Sequence, residues 1–342
     1  ARSEWVGPVR VGTRSPGRST HSDRLLVLGW WAGTRMVGDG YGGEVDIDAG
    51  RFAVHRASPR GFAQAYVREG SGGVPLLCVH GWPETKRIYW KVIAPLAAAG
   101  FDVIVPDLRG FGGTQPAFAD SFWFADYLAD LDAILQSLVG DQPIDLLGHS
   151  LGGHIATTYA GVRPNRIRRL VNLEGFGLAS TRPSQAPGRY AQWLDEIAAF
   201  NAGEKDLKTY ESLAAVANRL TKTNPRLSAD KAAWLAGQWA SKTTDGRWQI
   251  NGHAAHKVVG ANLFQAPETV AVYQRITAPT LFVRAAEDSL QTWWKNKFTQ
   301  AEFAERLTHI PQVETRVMAD VGHMLHHDKP VELAEMVMDF IT

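Results

Sequence analysis

Short apolar runs alternate with windows of helical spacing along most of this chain. Residues 52–55 and 62–67 read as two edge strands of a hairpin-like start, and residues 74–79 as a buried strand. Apolar positions at helical spacing follow over 89–99, then a strand over 102–106 and a helix over 122–139. The run Ile144-Asp145-Leu146-Leu147 is a further strand, followed by a helical stretch over 153–160. Residues 167–173, 280–284 and 314–318 supply three more strands, with closing helices near the C-terminus. Short apolar runs alternating with helical windows predict an α/β fold with a mostly parallel sheet covered on both faces.

The pattern changes between 176 and 270. Residues 190–202, 207–220 and 231–241 look helical, without the strand alternation seen elsewhere. Tyr190, Trp193, Tyr210, Trp234, Trp239 and Trp248 fall in this stretch. It is read as a helical insertion into a core made of residues 51–175 and 271–342. Residues 1–50 mix Arg, Gly, Ser and Pro around one apolar patch at 25–31. Basic residues before a short apolar run loosely resemble a secretory leader, yet Arg35 stands where a cleavage site should be. This segment is treated as an extension with no assigned chemistry, and a cytoplasmic location is expected.

Composition narrows the classes further. A length of 342 residues suits one large domain, or a core with an insertion. The 36 Lys and Arg against 35 Asp and Glu give a net charge of +1, and the two signs are interspersed. That leaves no electrostatic footprint for a nucleic acid or an anionic membrane. No apolar stretch approaches the roughly 20 residues that a bilayer span needs. A single cysteine, Cys78, rules out an internal disulfide and sits mid-strand as a small apolar residue. A monomer and a homodimer both fit this composition.

The candidate chemistry starts at Gly148-His149-Ser150-Leu151-Gly152, a G-x-S-x-G between a strand and a helix. That context makes a common pentapeptide a nucleophile elbow, with Ser150 on a tight turn and a helix N-terminus behind it. Three other features fall in a telling order. Upstream, strand 74–79 ends in His80-Gly81-Trp82-Pro83-Glu84. Downstream, strand 280–284 ends in Ala285-Ala286-Glu287-Asp288, and strand 314–318 leads into Asp320-Val321-Gly322-His323. Serine, then acid, then histidine is the chain order of one class of Ser-His-acid hydrolases.

On these four motifs the chain resembles the α/β-hydrolase superfamily from about Arg51 to the C-terminus. The resemblance implies Ser150 as nucleophile, His323 as base and Asp288 as acid. It also implies the backbone N–H groups of Trp82 and Leu151 as oxyanion donors, and residues 176–270 as a helical cap. Glu174, in Asn172-Leu173-Glu174-Gly175, is the alternative acid, because some related hydrolases carry theirs after that strand. Ala285 stands where the family usually has glycine, three residues before Asp288. Glu287 is adjacent but expected to point elsewhere. His149, Trp193, Trp234 and Trp239 are candidate pocket-lining residues, since apolar pockets at domain seams favour aromatic linings.

Other histidines are weighed and set aside. His326 and His327 lie close to His323, but Gly322-His323 directly after a strand matches the family's loop position. His323 and His327 are four apart, yet no glutamate stands between them and no third ligand is apparent, so no metal is expected. No cofactor is expected either. His154 is read as structural or pocket-lining, and His80 as orienting its loop.

His80-Gly81-Trp82-Pro83-Glu84 and Asp107-Leu108-Arg109-Gly110-Phe111-Gly112 are similar to the epoxide hydrolase branch, which uses aspartate where this chain has Ser150. Serine attacking an sp³ carbon would leave an ether that this apparatus could not cleave, whereas serine suits acyl transfer. The expected activity is therefore cleavage of small, fairly hydrophobic carboxylic esters. The alternatives are a C–C bond hydrolase or lactonase on the same triad, and a non-catalytic protein that captures a small ligand under the cap.

Overall fold

The continuously apolar runs become strands in the computed structural model, which describes residues 53–70 and 72–342. The N-terminal extension read from the sequence lies outside the described residues. The core begins with β1 (Val54–Ala57), β2 (Gln64–Glu69), β3 (Pro75–Val79), α1 (Trp90–Ala98) and β4 (Asp102–Pro106). It continues with α2 (Phe124–Val139), β5 (Ile144–His149), α3 (Leu151–Val162) and β6 (Ile167–Leu173). The insertion carries α4 (Ala186–Asn201), β7 (Thr209–Tyr210), α5 (Leu213–Thr223) and α6 (Ala229–Trp239). It ends with β8 (Ala240–Lys242), β9 (Trp248–Ile250) and α7 (Ala266–Tyr273). The chain then closes through β10 (Thr280–Ala285), α8 (Ser289–Trp294), α9 (Gln300–Leu307), β11 (Val313–Met318), α10 (Leu325–Asp328) and α11 (Pro330–Ile341).

Eight strands form one sheet in the order β1-β2-β4-β3-β5-β6-β10-β11. β1 and β2 pair antiparallel, β2 runs antiparallel to β4, and the other neighbours are parallel. From β3 the chain passes to β4 on one side and then to β5 on the other. The loops leaving β3 and β5 therefore diverge, and a crevice opens at their carboxyl ends.

Period-two geometry sorts the strand residues onto two faces. Leu76 and Cys78 face α1 and α11, packing with Val92, Ile93, Leu96, Leu333 and Val337. Leu77 and Val79 face the opposite layer, with Leu131, Leu135, Ile155, Tyr159 and Phe303. Each large apolar side chain so buried contributes about 1.5–3 kcal/mol. That is why strands apolar at every position need a helical layer on each side.

The insertion contains the expected helices, shifted by a few residues. It also contains a three-stranded antiparallel sheet, β7-β9-β8, which the pattern did not predict. Strands of two or three residues offer too few positions for a period of two to register. Tyr210, Val216, Leu220, Leu235 and Trp239 join the same apolar cluster as α1 and α11, so α5 and α6 share packing with the core. Among the described residues, no helix is long and apolar enough to cross a membrane.

Candidate active site

Ser150 is the joint between β5 and α3, at φ 52° and ψ −116°. A non-glycine residue held at positive φ is strained and persists only when its surroundings enforce it. Here Ser150 N donates to Leu173 O at 2.8 Å, and His154 N donates to Ser150 O at 3.0 Å. The flanking glycines are sterically required. A Cβ on Gly148 would lie 2.2 Å from Gly152 O, and one on Gly152 would lie 2.1 Å from Val79 O. Both obstacles are backbone and cannot swing aside.

A backbone donor borders this turn. Leu151 is the first residue of α3, so its N–H has no intrahelical acceptor and points with the positive end of the helix dipole. The loop leaving β3 runs against the nucleophile, because a Cβ on Gly81 would come 3.0 Å from Ser150 Cβ. Trp82 is the next residue of that loop, and it is 51% exposed. His80 orients the loop. Its Nδ1 donates to Gly81 O at 2.8 Å, and Leu108 N donates to its Nε2 at 2.9 Å.

His323 Nδ1 lies 3.2 Å from Glu174 Oε2. Glu174 follows β6, also at positive φ (54°), and is buried. Its Oε1 accepts from Ala285 N at 2.7 Å and its Oε2 from Ser289 Oγ at 2.6 Å. Burial pushes the Glu174 carboxyl up to about 7, outweighing the hydrogen bonds that favour its charge. Burial, and then the neighbouring His149, hold His323 well below the ordinary histidine range. The ring of Trp293 meets His323 edge-on at 3.9 Å between centroids.

The preference for Asp288 needs correction on this geometry. Asp288 is exposed, and its Oδ1 accepts from Gln291 N at 2.9 Å, capping α8, and from Gln300 Nε2 at 3.3 Å. The residue that turns inward after β10 is Ser289, which donates to Glu174. Asp288-Ser289-Leu290-Gln291 has the acid-x-x-Gln spacing of a helix N-cap, a signal that could have been read from the sequence. Glu287 points away and pairs with Arg226.

The four pocket candidates do not converge. His149 is 1% exposed, in contact with Glu84 and His323, and Trp239 is buried beside His327 at 5.9 Å. Trp234 packs on Trp90 at 4.9 Å, and Trp193 meets Trp123 edge-on at 6.2 Å. A cleft of about 390 Å³ on the insertion, lined by Phe200, Leu207, Gln249 and His253, includes none of Ser150, His323 and Glu174.

Glu84 has the largest buried role that sequence reasoning missed. Its Oε2 accepts from Gly81 N at 2.9 Å and faces His149 Nδ1 at 3.0 Å, and its Oε1 faces His326 Nε2 at 2.9 Å. Burial opposes its ionisation, but the His326 and His149 rings outweigh burial and hold its carboxyl well below the ordinary range. Glu84, His326 and His327 bring ligand-type atoms within 4.8 Å of one another. The 2.9 Å between Glu84 Oε1 and His326 Nε2 is a hydrogen-bond separation.

A family model described as alpha/beta hydrolase fold matches residues 74–330. A serine hydrolase-like protein of Danio rerio is 22% identical over 83% of this chain and 86% of its own length. A cis-3-alkyl-4-alkyloxetan-2-one decarboxylase of Shewanella oneidensis is 25% identical over 85% of this chain and 89% of its own. An epoxide hydrolase of Caballeronia sordidicola is 22% identical over 82% of this chain and 91% of its own. Among solved structures, a thioesterase domain from the curacin biosynthetic pathway superposes with a TM-score of 0.72 at 24% identity, covering 84% of this chain and 99% of that one. The structural likeness is one of fold.

Proposed function

Because this chain belongs to the α/β-hydrolase fold family, we propose that it is a serine hydrolase cleaving carboxylic esters, with Ser150 as nucleophile, His323 as base and Glu174 as acid. The observation that carries this reading is a partly exposed serine on a strained turn whose chain neighbour His149 touches His323, a histidine whose Nδ1 faces a buried carboxylate. A serine hydroxyl is a poor nucleophile until a base takes its proton as the new bond forms. Glu174 fixes the His323 tautomer with its proton on Nδ1, leaving Nε2 to serve as that base.

Ser150 Oγ attacks the ester carbonyl, and its proton passes to His323. The oxyanion is met by the backbone N–H groups of Leu151 and Trp82, each such donor being worth about 3 kcal/mol to the transition state. His323 returns the proton to the leaving alcohol, giving the acyl-enzyme. Water, deprotonated by the same histidine, then releases the acid and restores Ser150. Residues 176–270 act as the cap over this site, and Trp293 packs edge-on against His323. The epoxide hydrolase relatives do not change the reading, because a serine ether formed on an sp³ carbon would be a dead end.

The test is hydrolysis of p-nitrophenyl esters, acetate through octanoate, by the wild-type chain and by Ser150→Ala. The expected result is wild-type turnover that falls by about 10⁴-fold or more in the variant. A folded wild-type protein inert towards every ester in the series would overturn the ester reading and move attention to C–C substrates.

A further inference from the structure

His149, one residue before the nucleophile, has both ring nitrogens directed at oxygens. Nδ1 lies 3.0 Å from Glu84 Oε2, and Nε2 lies 2.8 Å from the backbone carbonyl of His323. A carbonyl can only accept, and so can an ionised carboxylate. A neutral imidazole carries one N–H and could satisfy one of these partners but not both. Protons on both nitrogens satisfy both, and Glu84, fully buried, is the matching negative charge. We propose that Glu84 and His149 form a buried ion pair that positions His323 and electrically biases it, a role that rests on the serine-hydrolase reading above.

The positioning follows from the connections of a single carboxylate. Glu84 Oε2 holds Gly81 N, next to the proposed oxyanion donor Trp82, and also holds His149. His149 in turn donates to the backbone of His323 itself. The loop after β3, the end of β5 and the loop before α10 are thereby tied together at the site.

The bias follows from distance. The His149 and His323 ring centroids are 4.8 Å apart, so a cation on His149 opposes protonation of His323 and keeps the base ready. The same cation favours the ionised form of Glu174. Glu84 opposes this effect on His323 but by less than His149 exerts it, and His326 and His327 act in the same direction as His149. His326 and His327 are both pushed down by burial, with Glu84 opposing that shift in each. Burial works against the charge on His149, but Glu84 outweighs it and the His149 pKa is raised.

Histidine-ring ¹⁵N NMR tests the charge without any need for turnover. Signals are assigned by the loss of one set in His149→Gln. The expected result is a His149 ring protonated on both nitrogens from about pH 6 to about pH 8, becoming neutral within that range in Glu84→Gln. A neutral His149 ring in the wild-type protein at pH 7 overturns the proposal, whatever the protein hydrolyses.

The pH profile of kcat/KM on a p-nitrophenyl ester tests the bias. His149→Gln keeps an amide N–H for the His323 carbonyl but removes the charge. Its acidic limb is expected to move to higher pH by about one unit or more, since His323 and Glu174 both lose a cation that lowers their pKa. Glu84→Gln should move the limb the same way by a smaller amount, and it carries the test if His149→Gln fails to fold. A lowered melting temperature with an unmoved limb would reduce the pair to a structural prop and overturn the proposal.

Discussion

Ser289 donates its hydroxyl to Glu174 Oε2 at 2.6 Å, on the oxygen that also faces His323 Nδ1 at 3.2 Å. Three chain segments meet at that atom: the end of β6, the start of α8 and the loop before α10. Glu174 is thus held by donors on two sides, with its second oxygen on Ala285 N. Asp288, one residue before Ser289, faces outward because its carboxylate is committed to the N-terminus of α8.

A paired substitution separates the two acids. Glu174→Gln is expected to lower kcat on an activated ester by about 10³- to 10⁴-fold, the usual effect of removing the orienting carboxylate. Asp288→Asn should stay within about threefold of wild type, losing only part of a helix cap. Steady-state kinetics on both variants decide the assignment, and the reverse pattern would restore Asp288.

The same Glu174→Gln change should alter stability in the opposite direction. The carboxyl titrates at about 7 in the fold against 4.5 ordinarily, so between those values the native state binds more protons than the unfolded chain. Stability therefore falls as pH rises from about 4.5 to about 7, by about 3 kcal/mol in total. Glutamine does not titrate. The variant is expected to melt higher than wild type near pH 8, with the gain shrinking towards zero as pH falls through that window. Calorimetric scans across pH would reveal a constant gap instead if Glu174 kept an ordinary pKa.

Ser289→Ala removes a hydrogen bond that favours the charged form of Glu174. Bonds to charged groups contribute about 1.5–3 kcal/mol, so the carboxyl pKa should climb by about one to two units. The ionised acid is the competent form, and the acidic limb of kcat/KM moves to higher pH accordingly. Activity at alkaline pH should recover most of the wild-type value, and a uniform loss at every pH would point to misplacement of Glu174 instead.

Gly152→Ala probes the seam between α3 and β3. The added Cβ would sit 2.1 Å from Val79 O, a backbone atom in the sheet. A loss of about 3 kcal/mol or more is expected in urea denaturation, together with loss of activity as the elbow is displaced. A variant as stable as wild type would contradict so close an approach.

Much of this protein is legible before any coordinates. Strands such as 102–106 and 167–173 coincide with β4 and β6, because short, mostly apolar runs flanked by helical windows are best buried within a sheet. The elbow was equally legible, since strand, G-x-S-x-G and helix are contiguous and each glycine answers a local steric need. The short strands β7, β8 and β9 were not, because their pairing depends on partners up to some forty residues away and not on their own periodicity.

The chain's own order of residues determined the sheet and the helical layers and made Ser150 and His323 candidates, because these depend on local pattern and on motifs read in sequence. Tertiary structure alone decided which carboxylate meets His323. Glu174 and Asp288 both follow core strands, and the choice between them turns on which side chain points inward after the last hydrogen-bonded residue. It alone placed Glu84 against His149 and His326, residues 65 and 242 positions away along the chain. A protonation state set by two acceptors facing one ring exists only once distant segments have folded around it.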